Sequence, residues 1–136
     1  MLRSILYCSN STPNYLSKAS LGELVQQSQN WNYSVGITGA LVTTERNFVQ
    51  FIEGPTAAIG DLFDKIRTDR RHTRINVIQD AAAQERYFTE WSLAYWGPDA
   101  YIDNQLAPIL QRHNGSECAE LAVSLRTLLR AMANGR

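Results

Sequence analysis

Apolar and polar side chains alternate from the first residues of the chain. Arg3, Ile5 and Tyr7 fall on one side of an extended segment and Leu2, Leu6 and Cys8 on the other, so residues 2–8 read as a strand. The run Ser9-Asn10-Ser11-Thr12-Pro13-Asn14 has the composition of a turn. The period then lengthens: Leu21, Leu24, Val25 and Ser28 recur at helical spacing. Ser20-Leu21-Gly22-Glu23 fits a capping box, in which the hydroxyl and the carboxylate each satisfy a first-turn N–H. This helix is predicted to reach about Trp31, leaving Asn32 just beyond it as a C-cap or turn residue. Gly36 opens two β-rich segments, 37–43 and 47–53, joined by Thr44-Glu45-Arg46 closely enough to pair as an antiparallel hairpin. Pro55 can begin a second helix, with Ile59, Leu62, Phe63 and Ile66 as its apolar stripe and the polar run 68–72 as its end. Segments 74–80 and 87–95 predict two more strands, and Gly97-Pro98 breaks the chain. The remainder reads as helical near 104–112 and 116–133, with Leu121, Leu125, Leu128 and Met132 along one side of the last helix.

The order β-α-β-β-α-β-β predicts an α+β fold, a ferredoxin-like sandwich with an added fifth strand. Residues 1–96 would form this domain and residues 97–136 a helical extension packed on the sheet or in an oligomer interface. Within Phe48-Val49-Gln50-Phe51-Ile52 both strand faces carry large apolar groups, so the sheet needs cover on both sides. The two early helices would supply one cover; the C-terminal helices or a partner subunit would supply the other. The short leucine seam and the two-sided sheet together point to a homo-oligomer.

Composition narrows the class. With 136 residues, 44% apolar and 19% charged, the chain is one ordinary globular domain rather than a disordered segment. Thirteen basic residues balance thirteen acidic ones, which removes the overall charge that non-specific nucleic-acid binding uses. No apolar run approaches a membrane span, and the start, Met1 to Tyr7, is too short and polar for a signal peptide. Cys8 and Cys118 lack metal-site or disulfide-framework spacing and read as plain thiols in a reducing cytoplasm.

Several polar residues sit where packing alone would not put them. Gln50 shares a strand face with Phe48 and Ile52, and a buried amide left unsatisfied costs about 1–3 kcal/mol. Either a neighbouring protein group or a guest must meet it. Tyr7 on the first strand also needs a hydroxyl partner, and Trp91 reads as a core anchor. Arg71 and His72 follow the second helix, where they could complement its negative end. Trp31 reads as surface packing.

Together these residues resemble the BLUF family of blue-light receptors using FAD, over about Arg3 to Tyr95. The resemblance is carried by Ile5-Leu6-Tyr7-Cys8-Ser9, by Asn32 ahead of Gly36-Ile37-Thr38-Gly39-Ala40-Leu41, and by Phe48-Val49-Gln50-Phe51-Ile52-Glu53-Gly54. Asp69-Arg70-Arg71-His72 and Arg86-Tyr87-Phe88-Thr89-Glu90-Trp91 complete it. It implies a non-covalent FAD between the two early helices and the sheet, with Asn32 hydrogen-bonding the polar edge of the ring. Arg71 and His72 would line the pocket, and Ser28 would join the hydrogen-bond network of Gln50. Tyr7 would donate an electron and a proton after blue-light excitation, and Gln50 would rearrange its hydrogen bonds to the flavin. Trp91 and the residue two beyond it would carry the change to the fifth strand; that residue is Leu93 here, where the family commonly has methionine.

The resemblance implies a stand-alone sensor without enzymatic turnover, signalling through a downstream protein partner or through self-assembly. A small flavin-dependent reductase or a ferredoxin-like hydrolase is the alternative, although no GxGxxG, P-loop or Gly-x-Ser-x-Gly sequence is present. An RNA-binding sheet is disfavoured, because Phe48 and Phe51 fall on opposite faces.

Overall fold

The computed structural model describes residues 1–12, 18–43, 47–88, 94–96 and 126–131. Its elements are β1 (Leu2–Ser11), α1 (Lys18–Val35), β2 (Thr38–Thr43), β3 (Asn47–Pro55), α2 (Thr56–Thr68), β4 (His72–Ala83) and β5 (Ala94–Trp96). They build one sheet in the order β4-β1-β3-β2-β5. The pairs β1/β3, β1/β4 and β2/β3 are antiparallel, whereas β5 lies parallel to β2. This is the predicted ferredoxin-like α+β arrangement with an extra edge strand.

The alternation in β1 and β3 sorts the core into two layers. On the front of the sheet Ile5, Tyr7, Ile37 and Ile52 pack with Ile59 and Phe63 of α2. On the back Leu6, Ala40, Val42, Val49, Phe51 and Ile78 pack with Phe88 and Leu129. Cover on both faces follows from strands that are apolar on both sides. Residues 126–131 are helical, and their buried contact is Leu129, with Leu128 only partly buried against the same cluster. The packing centre is therefore one residue beyond the seam position Leu128; Leu121, Leu125 and Met132 lie outside the described residues. Cys8 packs partly buried against the back cluster, and Cys118 lies outside the described residues. Gly39 permits the close approach of β2 to β3, since a Cβ there would overlap the Phe51 carbonyl oxygen.

Several boundaries differ from the sequence expectation, each for a physical reason. Residues 9–11 are strand rather than turn: Ser9 and Asn10 pair with Phe48 and Asn47, and Ser11 with His72. Pairing on both sides outweighs their turn-forming composition. Helix α1 is already formed at Lys18, so Ser20 lies inside it and is not its N-cap. The helix also runs past Trp31 to Val35, which places Asn32 in its last turn. Gly36, at φ 76°, ends it: its N–H donates to the Tyr33 carbonyl and the Ile37 N–H donates to the Asn32 carbonyl. That double bond pattern with a left-handed glycine is a Schellman cap.

Pro55 serves as the N-cap of α2 and as the last residue of β3. Strand β4 extends beyond both predicted ends. Its register against β1 slips between Leu6 and Tyr7 and again between Cys8 and Asn10, marking two bulges. Arg74, at φ 55°, lies in the second. Residues 84–88, in contrast, are not strand as far as Phe88, because the Phe88 N–H donates to the buried Glu53 carboxylate instead of to a ladder. Strand is described only from Ala94 to Trp96. Trp91 and Leu93 fall outside the described residues. No helix among the described residues is long and apolar enough to cross a membrane.

Candidate functional site

The front of the sheet changes character along its length. Ile5 and Ile52 belong to the core under α2, but two residues further along each strand stand Tyr7 and Gln50. The β1/β3 register sets these two directly opposite one another. Tyr7 is 3% exposed and Gln50 7%. The Tyr7 hydroxyl donates to Gln50 Oε1 at 2.5 Å. Because Tyr7 can only donate to the oxygen end of the amide, the two N–H donors of Gln50 remain for another acceptor. Burial, reinforced by the negative charge of Asp69, pushes the Tyr7 phenol far above its ordinary pKa and keeps it protonated.

Both residues line a cleft of about 430 Å³ bounded by α1, α2 and the sheet. That volume is in the range of small-molecule and cofactor sites. Helix α1 contributes Leu24, Ser28, Trp31 and Asn32, which recur at helical spacing on its inner side. This explains the polar residues on a face where the fold alone would place apolar ones. In α2 Ile59 and Phe63 enter the core, and Leu62 and Ile66, partly buried against it, also form cleft wall. Leu41 and Phe48 add apolar wall from the sheet.

The turn after α2 supplies the remaining polar groups. His72 Nε2 donates to the Ile66 carbonyl at 2.8 Å, and its Nδ1 lies 2.6 Å from Ser9 Oγ. In the neutral ring that places the proton on Nε2 and leaves Nδ1 to accept from the serine. His72 therefore satisfies a C-terminal carbonyl of α2 and lines the cleft at once. Its ring meets those of Phe48 and Tyr7 edge-on at 5.6 and 5.9 Å. Arg71 is held by Asp69, which accepts from its backbone N–H at 2.9 Å and from Nη1 at 2.5 Å. Arg71 Nε is buried with no protein partner, a donor that only a guest or water could satisfy. At the rim Lys65 Nζ stands 3.9 Å above the ring of Trp31, which is 43% exposed, so a cation–π pair joins α1 to α2.

Of the residues selected from sequence, Tyr7, Gln50, Ser28, Asn32, Arg71 and His72 converge on this cleft. Three that matter escape a reading of the sequence. Ser9 orients His72, Asp69 holds Arg71, and Lys65 lies over Trp31. For Ser9 a signal exists, since it continues the alternation of Ile5 and Tyr7. Asp69 and Lys65 carry only the ordinary marks of a helix end.

The donor set suits a flat heteroaromatic ring edged with carbonyl groups. The Gln50 amide and Arg71 Nε offer N–H donors and Asn32 Oδ1 offers an acceptor between apolar walls. Comparison with known proteins agrees with this chemistry. The family model described as BLUF, sensors of blue light using FAD, matches residues 2–94. The beta subunit of a photoactivated adenylate cyclase from Euglena gracilis is 36% identical over 93 residues, 68% of this chain and 11% of that protein. The chain thus spans about a ninth of the length of that relative. Among solved structures, the dark state of the BLUF protein BlrB superposes with a TM-score of 0.73 at 32% identity, covering 94% of this chain and 97% of that one. A bacterial light-regulated adenylyl cyclase gives a TM-score of 0.74 at 25% identity, over 84% of this chain and 35% of its own.

Proposed function

Because the chain belongs to the BLUF family of flavin-binding blue-light sensors, we propose that the cleft between α1, α2 and the sheet holds FAD non-covalently and that Tyr7 and Gln50 form the light-responsive pair. The observation that carries this reading is the Tyr7–Gln50 hydrogen bond inside the cleft. Asn32, Gln50 and Arg71 would bind the polar edge of the ring, with Ser28 and His72 completing the surround.

A bound flavin supplies, on absorbing blue light, an oxidant strong enough to take an electron from a tyrosine. The protein is prepared for that loss. In the dark the Tyr7 phenol is neutral, held so by burial, and its proton already points along a short bond to Gln50 Oε1. Loss of an electron makes a phenol strongly acidic, so the proton moves along that bond to Gln50 Oε1, and return of the electron and of a proton by way of Gln50 would leave Tyr7 neutral again. Gln50 then exchanges its donor and acceptor ends by rotation or tautomerisation, with little change of shape. The hydrogen bonds it offers to the cleft are altered while the packing around it is not. Glutamate in this place would add charge and leucine would offer no donor.

The function is sensing without turnover, with output passing to a downstream protein partner or to self-assembly. The adenylate cyclase named for two of the relatives belongs to those proteins and supports the idea of a coupled effector. The test is spectroscopic. The purified protein loaded with FAD should be yellow and show a small, reversible red shift under blue light. Gln50→Leu should keep the flavin and lose the shift; a normal photocycle in that variant would refute the role given to Gln50.

A further inference from the structure

Glu53 is a buried carboxylate, 1% exposed, three residues along β3 from Gln50. Its Oε1 accepts from the Phe88 N–H at 2.5 Å and lies 3.5 Å from Thr38 Oγ1. Such a group is costly to bury unless hydrogen bonds satisfy it. What it holds is a stretch without regular structure, residues 84–88, whose Phe88 packs into the cluster on the back of the sheet. Arg86, in the same stretch, donates from Nη2 to the Gly36 carbonyl at 2.6 Å and from Nη1 to Thr38 Oγ1 at 3.0 Å. Gly36 is the cap of the helix whose last turn carries Asn32. Residues 86–88 are thus tied by charged groups to both elements that present amides to the cleft.

The other side of the stretch meets the C-terminal helix. Tyr87 and Phe88 lie against Phe51 at centroid distances of 5.9 and 5.6 Å. Arg130 Cζ stands 4.7 Å from the centroid of the Tyr87 ring, and Leu129 shares the buried cluster of Phe51 and Phe88. Gln50 and Glu53 belong to one paired strand, with side chains on opposite faces of the sheet.

From these contacts we infer that Glu53 is a positioning residue, and that with Arg86 it fastens residues 86–88 as the junction through which a change at the cleft reaches helix 126–131. The inference rests on the FAD-sensor reading. A shift of β3 or of the α1 cap alters where the carboxylate of Glu53 and the carbonyl of Gly36 stand. The segment held by both must follow, and Tyr87 and Phe88 deliver the movement to Arg130 and Leu129.

Hydrogen–deuterium exchange on the FAD-loaded protein, dark and under blue light, tests it. The native protein should show a light–dark difference at residues 86–88 and 126–131. Glu53→Leu should keep the red shift, exchange the Phe88 amide at least about tenfold faster in the dark, and lose the light–dark difference at 126–131. Glu53→Gln, which retains an acceptor for the Phe88 N–H, should restore that difference. Should Glu53→Leu fail to fold, Arg86→Gln at the outer end of the junction is expected to keep the shift and lose the same difference. A full difference at 126–131 in either disrupted variant overturns the junction. So does a native protein that shows the red shift with no difference there. A native protein with no red shift removes the sensor reading and the junction together.

Discussion

Tyr7→Phe separates the stability carried by the Tyr7–Gln50 bond from the photochemical role proposed for it. Phenylalanine keeps the ring contacts with Phe63 and His72, at centroid distances of 6.0 and 5.9 Å, and removes only the hydroxyl. Gln50 Oε1 loses a donor at 2.5 Å in a site where Gln50 is 7% exposed. A buried acceptor left unmet costs about 1–3 kcal/mol, and because Gln50 borders a cleft that water can enter, about 1 kcal/mol is expected. For a domain of this size that lowers Tm by about 4 °C. Gln50→Leu alone strands the Tyr7 hydroxyl at similar cost, whereas the double variant removes both partners and should lose much less than the sum. Thermal unfolding of the four flavin-free proteins should yield a coupling of about 1 kcal/mol. The same Tyr7→Phe protein, loaded with FAD, should remain yellow and show no red shift. Losses that add to within about 0.3 kcal/mol would refute the bond as a coupled pair. An undiminished shift in Tyr7→Phe would refute Tyr7 as the electron and proton donor.

Three other outcomes are expected from the same structure. Gly39→Ala drives a Cβ into the Phe51 carbonyl oxygen, and since backbone cannot step aside, denaturant unfolding should show a loss of about 3 kcal/mol or more. Arg74→Gly should raise Tm slightly, because relief of a left-handed backbone at φ 55° is worth about 1–2 kcal/mol against a glycine entropy cost of about 0.5–1 kcal/mol. Stability should also decline at alkaline pH. The folded pKa of Tyr7 lies above its ordinary value of 10.0, so from about that pH upward the unfolded chain releases the proton first and unfolding is favoured. Tyr7→Phe should flatten that arm of the pH–stability curve.

The architecture is legible in the sequence because both periodicities are clean. The order of strands and helices, the two-sided sheet and the six cleft residues can all be read from alternation, from helical spacing and from a resemblance in motifs. The elements that local pattern misplaces are those decided by partners distant in sequence. Asn32 falls outside α1 on pattern alone because the apolar stripe weakens after Ser28. It weakens there because Trp31 and Asn32 line a cleft rather than a core, and the stop signal is Gly36. Ser9 has the neighbours of a turn residue, although the bulged edge of β4 and the side of β3 both pair through this part of β1. The fifth strand looks as if it begins earlier because nothing local marks the Phe88 N–H as claimed by Glu53. In each case a tertiary contact settles a backbone choice that local propensity leaves open.

The same contacts divide the front of the sheet between apolar packing and polar pairing. On β1 this face passes from Ile5 to Tyr7 to Ser9, and on β3 from Ile52 to Gln50 to Phe48, in mutual register. One end buries Ile5, Ile52, Ile59 and Phe63 and anchors α2. The other end trades aliphatic packing for a phenol, an amide, a hydroxyl and an imidazole, which hydrogen-bond in pairs. Paired in this way, the polar groups lower the cost of their burial, while the Gln50 N–H donors and Arg71 Nε stay available to a guest in the cleft. This is why Tyr7→Phe is expected to lose about 1 kcal/mol while Gly39→Ala loses several times that. It also makes sense of Glu53. Under the proposal, the hydrogen bond from the Phe88 N–H to Glu53 gives the strand that carries Gln50 a hold on the opposite face.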